Sequence, residues 1–122
     1  MSVKVYNMME DAEYRISRTA EFTEWFETQD VRAKAQISGR IEKIKLCGHF
    51  GDYKSVSFSE KGILKNAVWE LRWKDGRRLY YAYIPEKRIL LILGGSKNGQ
   101  DKDISKAKSI YLKATKITQK KR

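Results

Sequence analysis

The chain has 122 residues, and its 26 Lys and Arg against 15 Asp and Glu leave a formal net charge of +11. This length suffices for one domain with a modest core. No stretch approaches the ~18 apolar residues of a membrane-spanning helix, and the N-terminus lacks a signal-peptide core, so we expect a cytoplasmic protein. So basic a domain commonly binds a polyanion, although a basic tail for solubility would account for part of the charge.

The chain contains one cysteine, Cys47, and one histidine, His49. A lone cysteine excludes an internal disulfide and suits a reducing compartment. Two such residues cannot complete a structural zinc site, so we expect no metal and no cofactor.

The first half of the chain predicts a short strand followed by two helices. Alternation over residues 13–19 indicates the strand, and aromatic residues at 22, 25 and 26 share one helical face after Thr19, a suitable N-cap. A second helix is predicted over 31–47, with Gly48 as its stop. Its predicted apolar stripe consists of Val31, Ala33, Ala35, Ile37, Ile41, Ile44 and Leu46.

The second half predicts several antiparallel strands and a closing helix. Strands are expected around Val56 to Phe58, over 68–74, over 78–84 and over 88–93, with a turn at 85–87. The last helix begins shortly after Asn98 and Gly99. This order of elements indicates an α+β domain. The predicted apolar face of this last helix consists of Ile104, Ala107, Ile110, Tyr111 and Ala114.

The hairpin VWELRWKDGRRLYYAYI allows two registers. A two-residue turn would mix apolar and polar faces, whereas a three-residue loop over 74–76, with Gly76 left-handed, pairs Leu71 with Leu79. The second register gathers the aromatic residues on one face and is therefore expected. It leaves Arg72, Arg78 and Tyr80 together on the opposite, polar face.

That polar face has two readings. It is either a solvated surface with ordinary arginines, or a site where guanidiniums and a phenol meet a phosphate and a stacked base. The residues alone leave this open. Nearby, GGSKNGQ at 94–100 does not match G-x-x-x-x-G-K-[ST], which argues against a nucleotide P-loop.

Six segments occur together in the order of a known family: FTEWF, RAKAQISGRIEKI, GHFGDYKSV, WELR, GRRLYY and LLILGGSKNGQDKDISKA. Over residues 14–112 the chain resembles the RelE/ParE-superfamily toxins, in particular the HigB-like, phage-derived addiction-module killer proteins. The resemblance implies one compact RelE-like domain over 1–122, with an extra N-terminal segment at 1–12 and a basic tail at 115–122 that we expect to be disordered. It also implies a helix-turn-helix antitoxin, with which this otherwise monomeric chain assembles, and ribosome-dependent cleavage of mRNA without a metal.

The resemblance further implies the site residues. Lys97 matches the basic residue where the last strand gives way to the final helix, and Arg72 and Arg78 match two arginines of the central hairpin. Lys54 falls near the upstream basic strand, although the segment that follows GDYK is longer than usual and the hairpin turn shorter. With Tyr80 these are the expected catalytic residues. The residues expected to bind RNA are Lys74, Arg77 and Gln100.

RNA cleavage by internal attack requires proton transfer and charge stabilisation on the phosphorane. We expect Lys97 or Lys54 to transfer the proton, Tyr80 to stack on a base or protonate the leaving group, and His49 to have at most a minor part. Three rivals stand beside this reading. They are a gyrase-directed toxin of the same fold, a non-enzymatic RNA-binding module and an inactive phage remnant.

Overall fold

A computed structural model describes residues 13–120 of the chain, with the backbone alone for 117–120. It confirms the predicted α+β class and the order of its elements. These are β1 (Arg15–Arg18), α1 (Ala20–Glu27), α2 (Val31–Cys47), β2 (Tyr53–Ser55), β3 (Val68–Arg72), β4 (Arg77–Ile84), β5 (Arg88–Ser96) and α3 (Gln100–Lys120), with short 3-10 turns at Gly62–Leu64 and Lys97–Gly99.

The predicted domain, residues 1–122, extends beyond the described residues 13–120 at both ends. The extra N-terminal segment at 1–12 lies outside the described residues. At the other end, α3 runs to Lys120, so residues 115–120 continue a helix where a disordered tail was expected. No helix within residues 13–120 is both long and apolar enough to cross a bilayer.

The five strands form one sheet in the order β1-β5-β4-β3-β2. The neighbours from β5 to β2 are antiparallel, as predicted; tight turns join β3 to β4 and β4 to β5, and the longer segment 56–67 joins β2 to β3. The edge strand β1 instead pairs in parallel with β5, and Ser17 lies opposite Leu90. The two helices between β1 and the remaining strands provide the crossover that a parallel pair needs.

The central hairpin has the three-residue loop that the sequence favoured. Leu71 pairs with Leu79 and Arg72 with Arg78. Trp73 and Arg77 close the loop, since the Trp73 N–H donates to the Arg77 carbonyl at 3.0 Å. Gly76 takes a φ of +98°, which a residue with a side chain would adopt only under strain.

Helices cover both faces of the sheet. On one face, α1 and α2 bury Phe22, Ile37 and Ile44 against Leu71, Leu79 and the rings of the hairpin. On the other, α3 contributes the buried Ala107. Its strand partners in this second core are Val68, Tyr80, Ala82, Leu90, Ile92 and Leu93.

The predicted caps are present on both N-terminal helices. The Thr19 side chain accepts a 2.9 Å hydrogen bond from the Phe22 N–H at the start of α1. Gly48 ends α2 in a left-handed conformation with φ +67°. Asp30, which the sequence reading passed over, caps the start of α2 by accepting from the Ala33 N–H at 2.8 Å.

Two details of the sequence prediction are wrong. Only four members of the α2 stripe are buried, while Val31 is 85% exposed, because at 100° per residue it points away from the sheet with Ala35 and Leu46. The strand expected around Val56 to Phe58 lies earlier, at Tyr53–Ser55, and Phe58 is 61% exposed.

Candidate functional site

The predicted site residues lie around the end of the sheet at which β3 ends, β4 begins and β5 ends. Arg72 on β3 is opposite Arg78 on β4, and Arg78 is opposite Gly95 on β5. Beside them, the Lys97 backbone N–H donates to the Gly76 carbonyl at 2.8 Å. The strand end of GGSKNGQ is thereby fixed to the hairpin loop.

Arg72 and Arg78 face a shared carboxylate. The Arg78 Nε lies 3.8 Å from Glu70 Oε1, and the Arg72 Nε lies 4.0 Å from Glu70 Oε2. Arg72 also lies 3.9 Å from the exposed Asp52 carboxylate. All three separations exceed the 2.7–3.2 Å of an N–H···O hydrogen bond, so these contacts are charge attractions and not hydrogen bonds.

Arg78 is the more deeply placed of the two arginines. Only 8% of the residue is exposed, and its Nη1 donates to the backbone carbonyls of Trp73 and Arg77 at 3.3 and 3.0 Å. Its buried Nε has no hydrogen-bond partner within the described part of the chain. A buried donor of this kind is favourable only when another group supplies an acceptor or a compensating charge.

Glu70 is the residue that the sequence analysis missed. It is 1% exposed and lies mid-sheet, opposite Lys54 on β2 and Tyr80 on β4. Gln100, the first residue of α3, donates its Nε2 to Glu70 Oε1 at 2.7 Å. The alternation of β3 already placed Glu70 on the same face as Arg72, which is the signal that would have identified it.

Tyr80 does not lie on an open polar face. Arg72, Arg78 and Tyr80 do share a face, as predicted, but α3 covers its inner part and leaves Tyr80 fully buried. Burial, and then the nearby Glu70 carboxylate, raise the pKa of the Tyr80 hydroxyl. The ring is therefore closed to base stacking here, and the hydroxyl remains protonated at neutral pH.

The predicted lysines are accessible. Lys54 on β2, Lys74 in the hairpin loop and Lys97 after β5 are all exposed. Lys54 stands in the same cross-strand row as Glu70, and the stem of Lys97 passes so close to Gly76 that a Cβ there would lie 3.3 Å from Lys97 Cγ. This end of the sheet therefore carries exposed lysine side chains around the buried Glu70 and Arg78.

The residues expected to bind RNA occupy three different settings. Gln100 belongs to the buried centre through Glu70, and Lys74 projects from the loop toward α2. Arg77 points to the α2 side of the sheet, where its guanidinium donates to Gln36 at 3.0 Å and lies 2.9 Å from Asp75. The structure therefore brings Gln100 to the other predicted site residues and separates Arg77 from them.

Arg40 on α2 was also absent from the sequence predictions. Its guanidinium donates to the carbonyls of Arg72 at 2.5 Å, Phe50 at 2.7 Å and Asp52 at 3.1 Å, and it stacks 4.3 Å above the Trp73 ring. Burial lowers the pKa of this guanidinium. Arg40 thus connects the end of β3 to the segment just before β2, the strand that carries Lys54.

The paired glycines of GGSKNGQ have a packing explanation. A Cβ on Gly94 would lie 2.0 Å from the Trp25 ring on the α1 side, and a Cβ on Gly95 would lie 2.1 Å from the Asp103 carboxylate on the α3 side. The glycines allow both helices to approach β5 closely. Burial raises the pKa of this Asp103 carboxyl, although Lys106 and Lys102 act in the opposite direction.

Neither Cys47 nor His49 lies at this end of the sheet; both are exposed where α2 gives way to the next loop. Across residues 13–120, no three His, Cys, Asp or Glu side chains are grouped so that they would hold a metal ion. The charged side chains gathered at the site are the guanidiniums of Arg72 and Arg78, exposed lysines and the buried carboxylate of Glu70.

Comparisons with known proteins agree with this architecture. Residues 24–117 match the family of phage derived Gp49-like proteins. An uncharacterized protein of Haemophilus influenzae is 36% identical over 98 residues, which span 77% of this chain and 89% of that protein.

Two solved structures are also similar to this chain. The E. coli toxin RelE, a free-state mutant with two arginines changed to alanine, aligns with a TM-score of 0.55 and 15% identity over 85% of this chain and 98% of that one. The conserved hypothetical protein HP0892 of Helicobacter pylori aligns with a TM-score of 0.45 and 18% identity over 70% and 96% of the two chains.

The chain therefore belongs to the phage-derived Gp49-like family. Its fold is similar to that of RelE, and the family match together with this fold bears out the resemblance seen in the sequence.

Proposed function

We propose that the protein is the toxin of a toxin–antitoxin pair and acts in the cytoplasm as a HigB-like, ribosome-dependent mRNA endoribonuclease. The observation that carries this proposal is the pairing of Arg72 with Arg78 across β3 and β4, where the Arg72 side chain is 39% exposed and lies 3.9–4.0 Å from its carboxylate neighbours. Exposed lysines lie around this pair, in a chain of net charge +11. An RNA phosphate fits such a surface.

The reaction is an internal displacement at phosphorus. The 2′ oxygen of one nucleotide attacks the adjacent phosphate, its proton leaves, and the bond to the 5′ oxygen of the next nucleotide breaks as that oxygen gains a proton. Negative charge increases on the phosphate oxygens in the transition state. Arg72 and Arg78 supply fixed donors for that charge.

Proton transfer falls to the exposed lysines. Lys54 lies in the strand row next to Glu70, and Lys97 is anchored at the hairpin loop. We propose that these two residues handle the 2′ proton and the leaving-group proton. Because Tyr80 is buried beneath α3, we assign it a role in packing and give it no contact with RNA.

The accessibility of these groups explains why the ribosome is needed. Exposed lysines on an open edge do not by themselves align a flexible RNA for in-line attack. A ribosome that holds mRNA in a defined geometry would supply this alignment, which is worth many orders of magnitude in rate. We propose a helix-turn-helix antitoxin as the partner that restrains the activity.

The test is brief induction of the wild-type chain and of Arg72→Ala, followed by mapping of mRNA 5′ ends within minutes. Codon-phased cuts are expected from the wild type and not from Arg72→Ala, while Arg15→Ala, an exposed arginine on the opposite edge strand, should cleave normally. Growth arrest with intact mRNA and broken DNA would overturn the ribonuclease proposal in favour of a gyrase-directed toxin.

A further inference from the structure

Glu70 is the only acidic residue buried among those that the structure describes. Burying a carboxylate is unfavourable unless charged or hydrogen-bonding partners compensate it, so its surroundings indicate why it is kept. Those surroundings are the site itself. Its nearest polar contacts are Gln100, Arg78 and Arg72 at 2.7, 3.8 and 4.0 Å.

The two oxygens of Glu70 face different guanidiniums. Oε1 faces Arg78 and also accepts from Gln100, whereas Oε2 faces Arg72. Gln100 thereby fixes the rotation of the carboxyl group, which lies 4.0 Å from the Arg72 Nε and 3.8 Å from the Arg78 Nε. Two positive charges and one negative charge leave this cluster only partly neutralised.

We propose that Glu70 is a positioning residue with a second effect: it is a built-in counter-ion that orients Arg72 and Arg78 and also weakens their hold on an RNA phosphate. This inference rests on the proposed function, since it concerns the same site. A phosphate that approaches the two guanidiniums meets the repulsion of a carboxylate about 4 Å behind them. Glu70 therefore limits binding of the intact phosphodiester while it keeps the donors aimed for the transition state.

This arrangement follows the logic of catalysis by differential binding. Tighter binding of the ground state alone does not raise the rate, whereas donors that are correctly aimed at the developing charge do. Removal of the Glu70 charge should therefore change binding and cleavage in opposite directions. A residue that only stabilised the fold would weaken both.

The decisive variant is Glu70→Gln, which keeps the size of the side chain and an oxygen that can accept from Gln100. Its affinity for a short RNA with a 2′-deoxy nucleotide at the cleavage position is measured by fluorescence anisotropy. Its cleavage rate is measured in a single turnover on ribosomes carrying mRNA. We expect binding to tighten by about tenfold and cleavage to slow by at least about tenfold.

Glu60→Gln is the matched control, because Glu60 pairs with Lys108 at 2.7 Å away from the site and should change neither quantity. Gln100→Ala separates charge from orientation: it keeps the carboxylate but frees its rotation, so cleavage should fall while binding does not tighten. If Glu70→Gln fails to fold in a melting experiment, Glu70→Met, an uncharged side chain of similar size, measures the effect of the charge on RNA binding, and Gln100→Ala still tests positioning.

Weaker or unchanged RNA binding by a folded Glu70→Gln protein would overturn the counter-ion role. Normal cleavage by Gln100→Ala would overturn the positioning role. If instead the wild type leaves ribosome-bound mRNA intact, the proposed function fails, and the binding comparison with free RNA still decides whether Glu70 acts as a counter-ion.

Discussion

Two pairs of arginines flank the same hairpin, and they differ in how completely their donors are used. On the α3 side, Arg72 and Arg78 face Glu70 at 4.0 and 3.8 Å, and the Arg78 Nε has no hydrogen-bond partner among the described residues. On the α2 side, the guanidiniums of Arg40 and Arg77 donate to protein oxygens at 2.5–3.1 Å.

This difference separates arginines whose donors bind protein oxygens from arginines with a donor that no described residue accepts. A guanidinium whose donors already bind carbonyls and a side-chain amide holds the fold together. Arg72 has only ionic contacts of 3.9 and 4.0 Å and its side chain is 39% exposed, so its donors can reach a phosphate. By this criterion Arg77, expected from the sequence to bind RNA, groups with Arg40, while Arg78, whose Nη1 donates to two carbonyls, lies between the two classes.

The largest expected effect separates the pairs by activity. Arg72→Ala removes a half-exposed guanidinium with only long ionic contacts, so the free energy of unfolding should change little. Cleavage of mRNA should fall by about 100-fold or more, as for loss of a transition-state donor. Single-turnover cleavage and thermal melting check both halves, and normal cleavage would remove Arg72 from the site.

The converse variant acts on the fold. Arg40→Ala removes three hydrogen bonds to carbonyls and a cation–π contact with Trp73, and should lower the free energy of unfolding by about 3 kcal/mol. Urea denaturation measures this. Arg40→Lys should recover little, because a lysine cannot reach three acceptors with a planar fork. A stable Arg40→Ala protein that no longer cleaves RNA would break the distinction between the pairs.

The glycine pair tests the two sides of the sheet separately. Gly94→Ala forces a Cβ into the rigid Trp25 ring and should destabilise the protein by about 2–3 kcal/mol. Gly95→Ala meets the end of the Asp103 side chain, which can rotate away, and should cost less than about 1 kcal/mol.

Gly39→Ala, whose Cβ meets nothing within 4 Å in a helix interior, should instead stabilise by about 1 kcal/mol. Melting curves give the order.

A smaller effect depends on pH. The pKa of Asp103 is raised in the folded protein above its ordinary value of 3.8, so the folded state holds the proton more tightly than the unfolded chain. The free energy of unfolding should therefore fall as pH rises through the interval above 3.8. Asp103→Asn should match the wild type at lower pH and gain on it at neutral pH. Urea titrations at several pH values check this, and an opposite trend would contradict it.

The smallest effect concerns Tyr80. Its buried hydroxyl has no hydrogen-bond partner within the described residues, so Tyr80→Phe removes no such bond. Both the melting temperature and the cleavage rate should remain close to those of the wild type. A loss of cleavage with an intact fold would return Tyr80 to the catalytic residues.

The sequence predicted what local patterns determine. Alternation and loop length fixed the register of the central hairpin, and Thr19 and Gly48 fixed the helix ends that they cap. It also predicted that Arg72 and Arg78 share a face. These features follow from contacts between residues close in the chain.

What the sequence could not predict depends on distant elements. The burial of Tyr80 and the pairing of Glu70 with Gln100 require α3 to lie across the sheet, and strand alternation does not contain that information. Likewise, the hydrogen bond that the Arg77 guanidinium donates depends on Gln36 of α2. The sequence pattern predicted which face of a strand each charged residue occupies. Tertiary packing determines which of these residues are bound by other protein groups.

The parallel pairing of β1 with β5 determines when the sheet can form during synthesis of the chain. Thr19, next to β1, donates its hydroxyl to the carbonyl of Ile92, a contact that spans 73 residues of chain. An emerging polypeptide cannot close this sheet until its C-terminal third has left the exit tunnel, and such long-range closure is slow. Lys97 and Gln100 emerge later still. Under the proposed function, the site therefore forms only after nearly all of the chain has been synthesised.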